Sequence, residues 1–176
     1  INVDGQVRKD PRFAVGLFDT LNVPSIKKNY RLLLDQKGRL IVKEASDAMT
    51  GTKPVKVVHK TIVKGKQMLL QTHDGRTLRN PKEDIFVGDS VVMTSDGRSM
   101  KAHLPLHKGA LVLITGGSHV GEVAVVAAVV EGTMKRRKLV DLTEGKEKFQ
   151  TTAINVMPID NSTLEWIKKN VTGGNA

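Results

Sequence analysis

The chain has 176 residues, of which 28 are Lys or Arg and 18 are Asp or Glu, so its formal net charge is +10. It contains no cysteine, which excludes disulfides and thiolate metal sites, and no apolar run long enough for a transmembrane helix. The charge favours a polyanionic partner such as nucleic acid, because basic amphipathic helices and lipidation motifs typical of membrane-surface proteins are absent from the sequence. We expect a cytoplasmic protein with no cofactor and no membrane partner.

Short runs of branched aliphatic residues recur along the chain and predict a mostly β protein. Turn dipeptides separate most of these runs, as at Asp4-Gly5, Asp74-Gly75 and Asp96-Gly97. Strands at this spacing indicate small β-barrel-like modules in tandem rather than a parallel sheet covered by helices. The runs are residues 30–34, 39–42, 55–63, 67–72, 90–94, 110–115 and 122–130.

One short helix is predicted at the carboxyl end, over residues 164–170. Ser162 and Glu165 have the spacing of a capping box, in which the serine hydroxyl would cap the first turn. The glycine-rich residues 173–176 that follow are expected to be disordered.

Composition shifts divide the chain into four segments. We place boundaries so that residues 1–23 form a fragment, 24–107 a central β unit, 108–160 a small barrel, and 161–176 the helix and tail. Because the chain begins at Ile1 in a patterned segment, we expect its natural amino terminus to lie upstream.

Between residues 53 and 82 the chain has a strong excess of basic residues, with Asp74 as the only acid. In a regular strand Lys56 and Lys60 would share one face, and the row of cations could follow a phosphate backbone. The alternative is that these residues form the solvated outer face of an antiparallel sheet. The candidate RNA-binding residues here are Lys53, Lys56, Lys60, Lys64, Lys66, Arg76 and Arg79.

A second basic cluster follows Gly132 and consists of Lys135, Arg136, Arg137 and Lys138. Arginine binds phosphate oxygens bidentately, so we include these four as RNA-binding candidates, with a solubilising loop as the alternative. The six aromatic residues are scattered, which disfavours stacking on single-stranded bases and favours structured RNA held through phosphates and shape.

The glycine-containing segment 108–126 predicts two buried strands joined by a turn that needs positive φ. With Gly109, Gly117 and Gly121 at their spacing, it resembles a KOW motif, the hairpin of a small SH3-like RNA-binding barrel. Ala124 and Glu122 depart from that motif and argue for packing rather than phosphate contact at the turn. Glu122 also excludes a P-loop, which needs Lys followed by Ser or Thr there.

Taken in order, residues 1–20, 30–39 and 72–81, followed by the KOW-like hairpin, resemble the family of small-subunit ribosomal protein four of archaea and eukaryotes. The resemblance implies a structural constituent of the small subunit in the cytoplasmic ribosome, bound to ribosomal RNA and neighbouring ribosomal proteins, without a small-molecule substrate. Residues 1–23 would be the end of an RNA-binding domain that lacks its first helices. Arg8, Lys9 and Arg12 in that segment become further candidate RNA contacts.

No enzyme is predicted. His73 and Asp74 are adjacent in a tight turn and no serine stands in a nucleophile elbow, so a turn-stabilising hydrogen bond is favoured for His73. The five histidines are dispersed, so no metal site is predicted. The alternative function is a KOW-bearing transcription or translation factor that binds RNA and protein transiently, but the order of the segments favours the ribosomal constituent.

Overall fold

The computed structural model describes residues 1–46, 51–65, 67–79, 84–97, 99–133, 136–145 and 147–172. The described residues form three five-stranded sheets that follow one another along the chain, and all strand pairs are antiparallel. The prediction of a mostly β chain with one short carboxyl-terminal helix is confirmed.

The first sheet has the strand order β2-β1-β3-β4-β5. Its strands are β1 (Asn2–Val3), β2 (Gln6–Val7), β3 (Thr20–Val23), β4 (Lys28–Leu34) and β5 (Leu40–Glu44). The boundary predicted between residues 23 and 24 falls inside this sheet, because β3 pairs with β4. Pro24 does not open a new unit; it begins a 3-10 turn, Pro24–Ile26, that connects the two strands.

The second sheet has the order β10-β9-β6-β7-β8 and is built around one long strand. That strand, β6 (Thr52–Val63), pairs with β9 through its first half and with β7 through its second half. A β-bulge at Val58 separates the two halves. The other strands are β7 (Gln67–Thr72), β8 (Thr77–Arg79), β9 (Ser90–Thr94) and β10 (Met100–Leu104).

The third sheet has the order β14-β13-β12-β11-β15 and encloses its own core of small aliphatic side chains. Its strands are β11 (Leu111–Ile114), β12 (Val123–Val130), β13 (Leu139–Glu144), β14 (Glu147–Thr152) and β15 (Val156–Pro158), with a 3-10 turn at Ala153–Asn155 before the last. The glycines of the predicted hairpin have the positive φ that the turn requires, +97° at Gly117 and +84° at Gly121. The assignment of this sheet to a KOW barrel stays a prediction.

The helix, α1 (Asn161–Ile167), begins three residues before the predicted start and continues as a π-helical turn, Lys168–Thr172. Its preceding residue is Asp160, whose carboxylate accepts hydrogen bonds from the Ser162 and Thr163 hydroxyls. Ser162 is therefore inside the helix and the predicted capping box is wrong. Within the described residues, no helix is long and apolar enough to cross a bilayer.

One hydrophobic cluster joins elements that are distant in sequence. Phe18 and Leu33 of the first sheet pack with Leu113 of the third sheet and with Trp166 and Ile167 of the helix region. The first sheet, the third sheet and the helix therefore share a core, while the second sheet has its own around Val55, Val57 and Leu70.

Candidate nucleic-acid interface

Lys53 lies at the start of β6 and is 1% exposed. Its Nζ is 3.0 Å from Oδ2 of Asp4, 3.1 Å from Oδ2 of Asp74, and within 2.5 Å of Oδ1 of Asp19. Asp4 and Asp19 belong to the first sheet region, so this lysine ties the second sheet to the first. Lys53 cannot reach RNA from this position, and its assignment as an RNA contact is corrected.

Arg76 completes this group, which we call the Lys53 cluster: Lys53, Arg76, Asp4, Asp19 and Asp74. Its guanidinium is 2.8 Å from Asp4 and 3.4 Å from Asp74, and it also donates to the backbone oxygen of Ser95 at 3.1 Å. With 28% of its side chain exposed and three partners inside the fold, Arg76 is a structural cation rather than a free phosphate ligand.

Within the Lys53 cluster, Lys53 and Asp74 favour each other's charged forms. Burial opposes the charge on Lys53, but the carboxylates of Asp19, Asp4 and Asp74 outweigh it and raise the pKa of Lys53. Burial likewise opposes the charge on Asp74, yet the Thr72 hydroxyl and Lys53 lower the pKa of Asp74. Removing one partner would leave buried charge uncompensated.

Lys56 is the second lysine of the predicted row that the fold buries, with 8% exposure. Its Nζ donates to the backbone oxygens of Ala153 at 2.8 Å and Ile154 at 2.7 Å, which ties the second sheet to the third. Burial lowers the pKa of Lys56 to about 8. Lys56 is therefore also corrected from an RNA contact to a link between sheets.

The bulge at Val58 overturns the prediction that Lys56 and Lys60 share one face. Val57 pairs with Thr72 and Lys60 with Leu70, so Val57 and Lys60 lie on the same, core-facing side. Lys56, next to Val57, lies on the opposite side. The extra residue of the bulge shifts the alternation by one, which no count from a regular strand could reveal.

The cations beyond the bulge are more accessible but do not form one row. Lys60 points to the core side, where its Nζ is 2.9 Å from Asp84 and 5.1 Å from the centroid of the Phe86 ring. Arg79 is exposed and pairs with Leu69, so it lies on the face of the sheet opposite the buried Leu70. Lys64 is exposed at the β6–β7 turn. Lys66 lies outside the described residues.

Arg8, Lys9 and Arg12 are exposed in the segment between β2 and β3. The Arg8 guanidinium donates to Gln6 at 2.7 Å and stacks over Phe13 at 4.2 Å. Arg8 also lines a cleft of about 190 Å³ that opens onto the Lys53 cluster. Three carboxylates in the same cleft offset its three cations, so the cleft offers an anion no net positive charge. Lys9 and Arg12 are therefore the better candidates of this segment.

The second basic cluster occupies the connection between β12 and β13. Thr133 and Arg136 pair in an isolated antiparallel bridge, and Arg136 and Arg137 are exposed. Lys138 is half-buried and pairs with Glu131 at 2.8 Å. The two arginines therefore present their guanidinium groups to solvent, whereas Lys138 is held at the base of the turn. Lys135 lies outside the described residues.

The glycine turn of the third sheet packs against the first sheet. A Cβ at Gly121 would lie 2.6 Å from the backbone oxygen of Asp35, so only glycine fits between the two backbones. Near this turn His119 contacts Glu122 at 2.9 Å, and partial burial together with Glu122 raises the pKa of Glu144. The close backbone contact and the acidic residues beside it support the expected packing role of the turn.

Sequence reasoning missed Arg31 as a structural residue. It is 1% exposed in β4, donates to the backbone oxygen of Thr52, and lies 5.7 Å from the Trp166 ring centroid. Burial lowers the pKa of Arg31 to about 10, although the carboxylates of Asp160 and Asp4 oppose that change. The position of Arg31 within the apolar run 30–34 could have indicated this role, because a cation flanked by core residues needs a partner inside the fold.

The histidines and carboxylates do not gather into a metal site in the part of the chain that the structure describes. No group of three or more potential ligands is close enough to hold a metal there. Nδ1 of His73 accepts a hydrogen bond from the backbone N–H of Lys56 at 3.0 Å, which fits the structural role predicted for it.

The fold and the exposed cations define a basic, mostly β protein of the kind that binds nucleic acid. Comparison with known proteins identifies its family. The sequence profile of Ribosomal family S4e matches residues 26–100. The small ribosomal subunit protein eS4 of Archaeoglobus fulgidus is 40% identical over 152 residues, which cover 86% of this chain and 63% of that protein. That of Methanocella arvoryzae is 33% identical over 168 residues, covering 94% of this chain and 70% of that protein.

Among solved structures, the crystal structure of the 30S ribosomal protein S4e from Thermoplasma acidophilum is similar, with a TM-score of 0.80 and 28% identity. The match covers 92% of this chain and 81% of that one. The chain belongs to the ribosomal protein S4e family, which confirms the resemblance read from its sequence. It spans 63% of the length of the Archaeoglobus relative and 64% of that of the Methanococcus vannielii relative.

Proposed function

We propose that this chain is a structural constituent of the small ribosomal subunit and binds ribosomal RNA in the cytoplasmic ribosome. The observation that carries the proposal is its membership of the S4e family, with similarity along 94% of the chain to a relative named as a small-subunit protein. The net charge of +10 supports RNA as the principal partner.

RNA contact is assigned to exposed cations for which the described residues show no carboxylate partner. Arginine forks at the β12–β13 turn suit bidentate contact with phosphate oxygens, and Lys64 and Arg79 extend from the second sheet. Such contacts position the protein without reading bases, which agrees with the scarcity of aromatic residues. The assigned residues are Lys9, Arg12, Lys64, Arg79, Arg136 and Arg137, all exposed.

The proposed role is structural, without a reaction, cofactor or small-molecule substrate. The ionisable groups with displaced pKa values support it, because Lys53, Lys56 and Arg31 are each engaged in contacts between separate parts of the fold. Three sheets held in a fixed arrangement would give RNA and neighbouring ribosomal proteins a rigid surface. We assign the KOW-type barrel to the third sheet.

Retention on small subunits in a salt series tests the proposal. A constituent should stay with washed subunits at salt concentrations that remove loosely bound factors, because many phosphate contacts act together. Complete release at low salt would contradict a constituent and favour the alternative, a KOW-bearing factor that binds transiently.

Direct binding to small-subunit RNA locates the surface. Replacing Lys64, Arg79, Arg136 and Arg137 together by glutamine should lower the slope of log affinity against log salt by roughly 3 units. A matched control replaces four other exposed lysines, Lys27, Lys37, Lys101 and Lys168, and should change the slope less. Equal effects would show that net charge, not this set of residues, governs binding.

A further inference from the structure

An apolar groove of about 730 Å³, which the proposed RNA contacts do not use, lies where the three sheets meet. We call it the Lys56 groove. Leu34 and Leu40 line it from the first sheet, Val58 and Val87 from the second, and Ile154 from the third. Leu40, Val58, Val87 and Ile154 are 47% to 62% exposed, which is unusual for four large apolar side chains around one depression.

The charged side chains among the described residues of the Lys56 groove are both lysines. Lys56, Lys138 and His73 line it, and none of its described lining residues is an aspartate or glutamate. Lys138 already has Glu131 as its partner, but the described contacts of the Lys56 ammonium are the two backbone oxygens. A buried ammonium without a carboxylate nearby is a site of charge complementarity for an incoming carboxylate.

β5, an edge strand of the first sheet, contributes a residue to the same groove. β5 is the last strand of the first sheet, and within the described residues no strand pairs with its outer side. Leu40, at the first position of β5, lines the groove, and Val42, on the same face, is 54% exposed. Such an edge offers backbone donors and acceptors to an extended peptide, while exposed side chains on one face offer apolar contact.

We propose that the Lys56 groove is the docking site of an extended segment of a neighbouring protein, which pairs with the β5 edge and places one carboxylate, flanked by apolar side chains, against Lys56. This inference rests on the proposed function, in which neighbouring ribosomal proteins are partners of the chain. An apolar lining favours a protein segment over RNA, because phosphates would lose their hydration in the groove and meet a single buried cation. Backbone pairing supplies affinity and the carboxylate supplies specificity.

Peptide titration of the isolated chain, followed by backbone amide chemical shifts, tests the proposal. The probe is the blocked pentapeptide Thr-Val-Glu-Val-Thr, and its matched control has Gln in place of Glu. We expect the Glu peptide to bind at least about tenfold more tightly, as one buried ion pair allows. Shifts should concentrate on β5, Val58 and Ile154. A third peptide with N-methylated backbone amides should bind more weakly if strand pairing contributes.

Two variants separate the ion pair from the groove itself. Lys56→Met should abolish the preference for Glu over Gln, whereas Lys138→Gln should preserve it. Because Lys56 also links two sheets, Ile154→Glu provides a second variant at an exposed position. It supplies a carboxylate from the chain itself and should suppress binding of both peptides.

Equal binding of the Glu and Gln peptides, no binding, or shifts away from the groove would each overturn the proposal. So would protection of Leu40, Val58 and Ile154 by small-subunit RNA in place of the peptide. Retention on small subunits in the salt series does not depend on the groove. Failure of peptide docking alone would therefore leave retention unchanged, whereas failure of ribosomal RNA binding would appear as release at low salt.

Discussion

The two halves of β6 carry similar residues but serve different purposes. Before the bulge, Lys53 and Lys56 are almost fully buried and connect the second sheet to the first and third sheets. After the bulge, the strand extends into a hairpin whose turn exposes Lys64. One lysine-rich strand thus holds the molecule together at one end and offers cations to solvent at the other.

The difference between the halves shows that charge count does not identify an interface. A buried lysine contributes through the partners that the fold supplies, and its removal leaves those partners uncompensated. An exposed lysine contributes little to folding and remains available for phosphate. The partners that the other two sheets supply, and not the residue type, separate the two classes in this strand.

The largest expected effect is at Lys53. Lys53→Met should lower the free energy of unfolding by about 3 to 5 kcal/mol, because three carboxylates would then share Arg76 as the remaining cation of the Lys53 cluster. Urea denaturation followed by circular dichroism measures it. Lys64→Met, in the exposed half, is the matched control and should change stability by about 0.5 kcal/mol or less. Similar midpoints for the two variants would remove the distinction between the halves.

The lowered pKa of Lys56 predicts that the free energy of unfolding rises with pH. Its pKa is about 8 in the folded chain and 10.5 ordinarily, so the unfolded chain binds more protons between these values. The stability of the wild type relative to Lys56→Met should therefore rise with pH across this window, by roughly 2 to 3 kcal/mol. Subtracting the variant removes contributions of the other titrating groups. A flat difference in unfolding free energy from pH 7.5 to 10.5 would contradict the burial of a charged Lys56.

The glycine turn offers a comparable pair of positions. Gly121→Ala should lower the free energy of unfolding by about 2 to 3 kcal/mol, because it combines a positive φ with a clash against the Asp35 backbone. Gly117→Ala shares the positive φ but meets only the Asn155 side chain at 3.6 Å, and should cost about 1 kcal/mol. Thermal unfolding of both variants measures the contribution of the contact between sheets. Equal losses would mean that backbone strain alone accounts for them.

The smallest effect on stability is expected at Arg79. Arg79→Gln should change the free energy of unfolding by less than about 0.5 kcal/mol, since the residue is exposed on the outer face of β8. Its effect should appear instead in RNA affinity, as a loss of about 1 unit of salt slope. Fluorescence anisotropy with small-subunit RNA at several salt concentrations measures that slope. A clear loss of stability in Arg79→Gln with an unchanged salt slope would show that Arg79 has a structural role, like Lys53 and Lys56.

Local patterns predicted much of the secondary structure. Alternating aliphatic residues and Asp-Gly or Glu-Gly turns indicated most of the longer strands, because strand pairing and turn geometry depend on neighbouring residues. The helix was found but its start was misplaced, because Asp160 and Ser162 are both acceptable at a helix start. The boundary at Pro24 failed since a proline turn inside a sheet resembles a linker in sequence.

The sequence by itself determined the β class, the excess of positive charge, the glycines of the turn and the family, since each depends on composition, short spacing or the order of segments. Only the tertiary structure decided which cations are free. Asp4 and Asp19 are far from Lys53 along the chain, and the oxygens of Ala153 and Ile154 are farther still from Lys56. Partners that meet only after three sheets pack leave no local pattern, and a single bulge reverses the faces of every residue beyond it.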